Sequence, residues 1–277
     1  MLKAVYSFKY DTQYMKSLYE SLLDDLDTIN SNIDPLKEIK QFLEENYSGE
    51  YIISAKPNKD GLYEVSSSGD IKIRNRNITS LTNDLFVWTK ANKSFYCNYS
   101  KFLTSLEGAP EIVRGTFNCS SCESLKSLKG APEKVGGGFL CRYCESLKSL
   151  EGAPEIVRGT FNCSSCGLLT SLEGAPKEIG KNFYCSSCQS LTSLKGAPKE
   201  VGGSFNCNNC DSLKTLEGAP KKTGEIFDCS YCNSLTTLKG APKEVGGSFY
   251  CYGCGKTFLK SDVEKVCNVN KNNIYVR

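Results

Sequence analysis

The chain has 277 residues, 34 of them basic and 31 acidic, for a formal charge of +3, and it is rich in glycine (24) and cysteine (16). This balance argues against a strongly basic nucleic-acid or membrane-surface protein. The complete absence of histidine removes Ser-His-Asp and Cys-His nucleophiles and every His-containing metal site.

In chain order, residues 1–65 are not repetitive. Apolar positions Leu18, Leu22, Leu26 and Ile29, then Leu36, Ile39 and Leu43, fit two amphipathic helices broken near Asp34-Pro35. Leu2–Phe8 and Tyr51–Ala55 read as strands, which predicts a small α+β cap; a separate effector or docking domain is the alternative. No pair among the carboxylates Asp24, Asp25 and Asp27 stands out as general acid and base, so no catalytic residue is expected. No apolar run reaches the ~18 residues of a membrane span, and the first residues lack the core of a signal peptide. The expected compartment is the cytoplasm.

From residue 66 to 260 the chain is a repeat array. Ile71 through Leu81 looks like a degenerate unit followed by a small insertion around Phe86-Val87-Trp88. Phe then recurs at 95, 117, 139, 161, 183, 205, 227 and 249, a constant step of 22, which makes seven full units over 95–248. So regular a period predicts a solenoid, in which each unit buries its apolar side against its neighbours. In the unit beginning Phe205-Asn206-Cys207-Asn208, apolar and polar residues alternate as in a short strand with one face inside. Leu213 and Leu216 follow on the return path, Gly218-Ala219-Pro220 makes a turn, and the position of Val245 re-enters the core. Stacking predicts one parallel sheet, with strands ~4.8 Å apart. Beyond residue 260, Ser261-Asp262-Val263-Glu264 has capping-box spacing for a short helix. Ile274–Val276 reads as a final strand, so 261–277 is expected to be a C-terminal cap.

The strand F-x-C-x-x-C-x-x-L is similar to the core of the leucine-rich repeat superfamily in its cysteine-containing form. The run C-x-x-L-x-x-L-x-x-x-P-x-x-V resembles the BspA-like subclass, one residue shorter. The phrase SLxGAPxxVGGxFxC further resembles repeat proteins of bacteriophages and their low-GC hosts. The resemblance implies an α+β chain with a curved solenoid that binds macromolecules on its parallel sheet face, and, in its most specific form, an inhibitor of a host or defence protein.

The cysteines are Cys97, seven CxxC pairs from Cys119/Cys122 to Cys251/Cys254, and Cys267. The repeat, not a tetrahedral site, dictates their spacing, and two internal ladders of buried thiols account for every pair without metal or cofactor. Zinc or iron–sulfur ligation and disulfides are the alternatives. Gly255-Lys256-Thr257 looks like the end of a phosphate-binding loop, but Tyr250 stands where that loop needs glycine.

If Phe and Cys point inward, the residues between them form outward columns rich in Asn, Ser and Tyr. Such a mixture resembles paratopes, where Tyr gives rigid contact area and Ser and Asn adaptable hydrogen bonds. The candidate partner-binding residues are Tyr96, Tyr99, Asn118, Arg142, Tyr143, Asn162, Tyr184, Asn206, Asn208, Asp228, Tyr231, Tyr250 and Tyr252. A merely solvated sheet face is the plainer alternative. Lys126, Lys129, Lys195, Lys199, Lys239 and Lys243 fall instead on the turns and return side, interleaved with Glu. These readings predict a non-enzymatic protein-binding module. The second reading is nucleic-acid binding through Tyr stacking with Lys72, Arg74, Arg76, Lys90 and Lys93.

Overall fold

A computed structural model describes residues 34–276. The helix expected over Leu18–Ile29 and the strand expected over Leu2–Phe8 lie outside the described residues. The chain divides into two compact units, 1–42 and 43–277. A helix, Pro35–Asn46, runs across that division. Asp34 starts it: its Oδ1 accepts the Leu36 N–H at 3.0 Å, and Pro35 takes the first helical position, where no N–H is needed.

The second unit is a β-solenoid. Its turns stack two sheets, a front sheet of 11 strands and a rear sheet of 10. Each front strand is the Phe and the residue after it, such as Phe183–Tyr184, and pairs in parallel with its equivalents one unit before and after. Within the 22-residue units each rear strand is a two-residue piece such as Glu200–Val201, ending on a buried residue just ahead of the glycines. The expectation of a single sheet is therefore corrected: the return path is itself a strand. Its backbone finds partners only in neighbouring turns, as when Ile156 and Val157 lie between Lys134–Val135 and Glu178–Ile179. Phe86–Ala91 is also a rear strand, six residues long, beside Tyr63–Ser67 and Ile112–Val113, in a turn that runs 24 residues from Ile71 to its register partner Phe95. Earlier strands also join the two sheets. Tyr47–Ser48 pairs antiparallel with Ile71–Ile73 in front, and Tyr51–Ile53 antiparallel with Tyr63–Ser67 behind.

Between the sheets the core is a set of columns. The eight repeat phenylalanines are all fully buried, and successive rings from Phe95 to Phe227 stack with centroids 5.2–5.8 Å apart. Two leucine columns, including Leu191 and Leu194, fill the return side. Gly152, in the Gly-Ala-Pro turn, has φ +92°, and a Cβ there would collide with the backbone of Leu128 and Lys129 in the preceding turn. Glycine is demanded twice at that position, by dihedral and by space.

At the far end a short helix, Lys260–Glu264, and a strand, Ile274–Tyr275, follow the array; that strand extends the front sheet beside Phe249–Tyr250. The helix's N-cap falls two residues before the expected Ser261. Leu259 is the N-cap residue, and its N–H donates to Asp262 Oδ2 at 3.0 Å. Among the described residues, no helix is long and apolar enough to cross a membrane.

Candidate binding face

The front face is built from a short, repeated backbone device. From Phe117 to Phe227 each Phe is followed by one half-buried residue on the outer side, a buried cysteine, two residues whose burial varies from turn to turn, and a second buried cysteine. The second of the two residues between the cysteine positions is left-handed in every turn from Tyr99 to Tyr231, with φ between 54° and 63°. Only one of those seven is Asn; the others are Ser or Tyr, for which this conformation costs roughly 1–2 kcal/mol. Neighbouring turns hold them there. The N–H groups of Ser121, Tyr143 and Ser165 donate to the carbonyls of Arg142, Ser164 and Ser186 at 2.8–3.0 Å.

The second cysteine completes the device. In all seven pairs its thiol donates to the carbonyl of the first cysteine one turn earlier, at 3.2–3.3 Å, from Cys122 to Cys97 through to Cys254 and Cys229. The two ladders thus differ: the second cysteine meets the carbonyl of the first in every pair, whereas the first chiefly packs, with Cys185 and Cys229 also donating to the carbonyls of Asn206 (3.5 Å) and Tyr250 (3.4 Å). All 16 cysteines are free thiols. Burial pushes Cys144 and Cys232 up to about 12 and Cys188 to about 11. These are protonated donors at neutral pH, as the thiol-to-carbonyl bonds require. Among the described residues no group of three or more acidic or cysteine side chains is arranged to hold a metal ion.

The candidate residues separate by role. Asn118, Asn162, Asn206 and Asp228 are half-buried, and each turns an oxygen back to accept the N–H two residues on, at 2.9–3.0 Å. Asn-x-Ser spacing is a signal of such side-chain turns. Asp228 also accepts from the amides of Asn206 (3.3 Å) and Asn208 (3.0 Å). Ser120 and Ser230, which fall in the outward columns, are buried, as is Ser204 just before Phe205. Tyr184 is half-buried. The residues that stand clear are Arg142 and the left-handed tyrosines Tyr99, Tyr143 and Tyr231, which are 58%, 53% and 49% exposed.

These tyrosines collect into two unlike ends. At the N-terminal end, cations lie over rings: Lys72 over Tyr96 (5.7 Å), Arg76 over Tyr99 (5.8 Å) and Arg142 over Tyr143 (5.8 Å). Arg76 also donates to the Asn98 carbonyl. Lys90 does not belong here, because it pairs with Ile112 in the rear sheet. At the C-terminal end the rings meet one another. Tyr252 stands edge-on to Tyr231 (5.1 Å) and Tyr250 (6.2 Å), and Tyr250 stacks on Tyr275 at 4.5 Å. Burial and the neighbouring Asp228 raise the Tyr252 hydroxyl above its usual value. Of the turn-side lysines, Lys129, Lys195 and Lys239 pair with glutamates of adjacent turns, at 3.3 Å to Glu151, 2.9 Å to Glu173 and 2.8 Å to Glu217, all well exposed. Lys256 and Thr257 in the phosphate-loop look-alike are exposed, with Lys256 lying over the Phe258 ring.

Comparison with protein-family models, curated proteins and solved structures finds no match to this chain.

Proposed function

We propose that the array is a non-enzymatic scaffold that binds a protein partner across its front face. The observation that carries this reading is the column of left-handed, exposed tyrosines, Tyr99, Tyr143 and Tyr231, on backbone pinned by the turns on either side. A rigid aromatic ring gives large contact area at low entropic cost, and a pre-organised backbone lowers that cost further. The Ser- and Asn-lined stretch between the two ends supplies hydrogen-bonding groups without charge. The free, buried thiols support residence in a reducing compartment such as the cytoplasm. We read the array as a cysteine-containing relative of leucine-rich repeats, the thiol-to-carbonyl ladder supporting that reading. Residues 261–277 act in it as the C-terminal cap, with Val263, Cys267 and Ile274 buried there.

A second reading, single-stranded nucleic acid stacked at the N-terminal end, draws on the three cation–ring pairs there. One experiment separates the two. The immobilised protein and its Tyr99→Ser/Tyr143→Ser/Tyr231→Ser variant are exposed to cell lysate with and without nuclease. Serine already occupies this column at 121, 165 and 187, so the variant keeps the fold. A protein captured by the parent after nuclease treatment and lost by the variant supports the proposal. Capture abolished by nuclease favours nucleic acid, and capture indifferent to the substitutions refutes the front face as the binding surface.

A further inference from the structure

Within the 22-residue units, the rear sheet breaks the pattern of its outward columns in two turns, one on either side of a regular one. Its outward strand column runs Ile112, Lys134, Ile156, then Glu178, Glu200, Lys222 and Glu244. The column two residues on runs Arg114, Gly136, Arg158, then glycine at 180, 202, 224 and 246. Both departures coincide. Direct pairing sets Ile112 and Ile156 on either side of Lys134, while Arg114 and Arg158 stand two turns apart, roughly 10 Å at the strand spacing, with only Gly136 between them.

The result is a notch of about 280 Å³, lined by these residues over the buried Val113 and Val135. Ile156 is 45% exposed at its edge. Its three cations are left for a ligand to take, a state they share among the described residues with Lys126, Lys148, Lys199 and Lys243 but not with every lysine of the array. Lys129, Lys177, Lys195, Lys222 and Lys239 each meet a glutamate of a neighbouring turn. Among the described residues, Arg114, Lys134 and Arg158 enter no ion pair.

We propose that this notch binds a small amphiphilic anion, a free carboxylate with a short aliphatic or aromatic body. The isoleucines and arginine stems cover the body, and the guanidinium and ammonium groups take the carboxylate. Arginine suits this because its planar fork matches a carboxylate while its stem packs on apolar surface. The volume lies at the small end of ligand sites, which fits a ligand of octanoate size better than a long lipid. The site is on the opposite sheet from the tyrosine face and is independent of the function proposed for that face.

The test uses anilinonaphthalene sulfonate as a fluorescent probe of the full chain, with octanoate, octanol and acetate as competitors. The expected result is saturable probe binding displaced by octanoate at least about tenfold more effectively than by octanol, which lacks the charge, or acetate, which lacks the body. Arg114→Glu/Arg158→Glu should weaken octanoate binding by at least about tenfold, and added salt should weaken it in the parent. Lys134→Gln/Arg158→Gln gives a milder removal of charge should the reversal disturb folding. The tyrosine-to-serine triple variant should bind octanoate as the parent does. Failure of octanoate to bind, equal displacement by octanol, or undiminished binding by the folded charge variants would overturn the proposal.

Discussion

Replacing Cys188 by alanine tests the thiol ladder at its centre. The Cys188 thiol donates to the Cys163 carbonyl at 3.3 Å with both residues buried, and no backbone N–H reaches that carbonyl among the described residues. Cys188→Ala therefore strands a buried acceptor, at about 1–3 kcal/mol. It also removes the sulfur's packing, worth about 1 kcal/mol. The expected loss is about 2–4 kcal/mol. Cys163→Ala, on the other ladder, loses only packing and should cost about 1 kcal/mol, since its carbonyl keeps the Cys188 donor. Cys188→Ser keeps a donor and should fall near the lower figure. Urea denaturation under reducing conditions reads these differences as midpoint shifts at constant slope. In thermal melts each kcal/mol appears as about 2–4 °C. If Cys188→Ala and Cys163→Ala agree within about 0.5 kcal/mol, or if Cys188→Ser is as damaging as alanine, the bond contributes nothing and the ladder is packing alone.

Alkaline pH should unfold the protein steeply. Burial raises Cys144 from 9.0 to about 12, so the folded state holds a proton that the unfolded chain releases. Stability is thus intact below pH ~9 and falls by up to about 1.4 kcal/mol per pH unit for each such thiol toward pH 12. Stability unchanged between pH 8 and about 10.5 in reductant, followed by circular dichroism, would contradict this. Phe183→Ala removes a ring stacked 5.2 Å from both Phe161 and Phe205 and should cost about 3–5 kcal/mol in a denaturation experiment. Thr223 occupies the rear-strand column otherwise filled by Val and Ile, with its buried hydroxyl unpartnered. Thr223→Val should accordingly stabilise by about 1 kcal/mol, read as a higher melting temperature.

The period, the phase of each front strand and the buried Phe and Leu columns were legible because one apolar residue recurs every 22 positions and alternates with polar ones locally. The rear sheet was not. A strand such as Glu200–Val201 has one inward residue, too few to display a period of two, and its hydrogen bonds come from turns 22 residues away. The left-handed column was hidden for a related reason. Serine and tyrosine carry no signature of positive φ; bonds such as Tyr143 N–H to the Ser164 carbonyl hold them there from outside the local sequence. Part of the candidate face was legible in kind but not in role. Asn118 and Asn162 do lie in the outward column after Phe, yet their oxygens are committed to their own backbone, which Asn-x-Ser spacing could have signalled. The basic group around Tyr96 divided between sheets because Lys90 belongs to a strand that the insertion reading concealed.

The uniform interior has a consequence for how such a molecule can change. One turn presents to the next the same Phe, Leu and Cys surfaces that it receives, so the core contains no address that distinguishes the fourth turn from the fifth. Gain or loss of one 22-residue unit would require no new packing solution. It would move the Arg76–Tyr99 end relative to the Tyr231–Tyr252 end by one strand spacing, ~4.8 Å. The array is in that sense a ruler graduated in whole turns. Apart from Thr223 inside, it is the outer columns, where Arg142, Asp228 or the Arg114–Arg158 notch breaks the pattern, that mark positions along it.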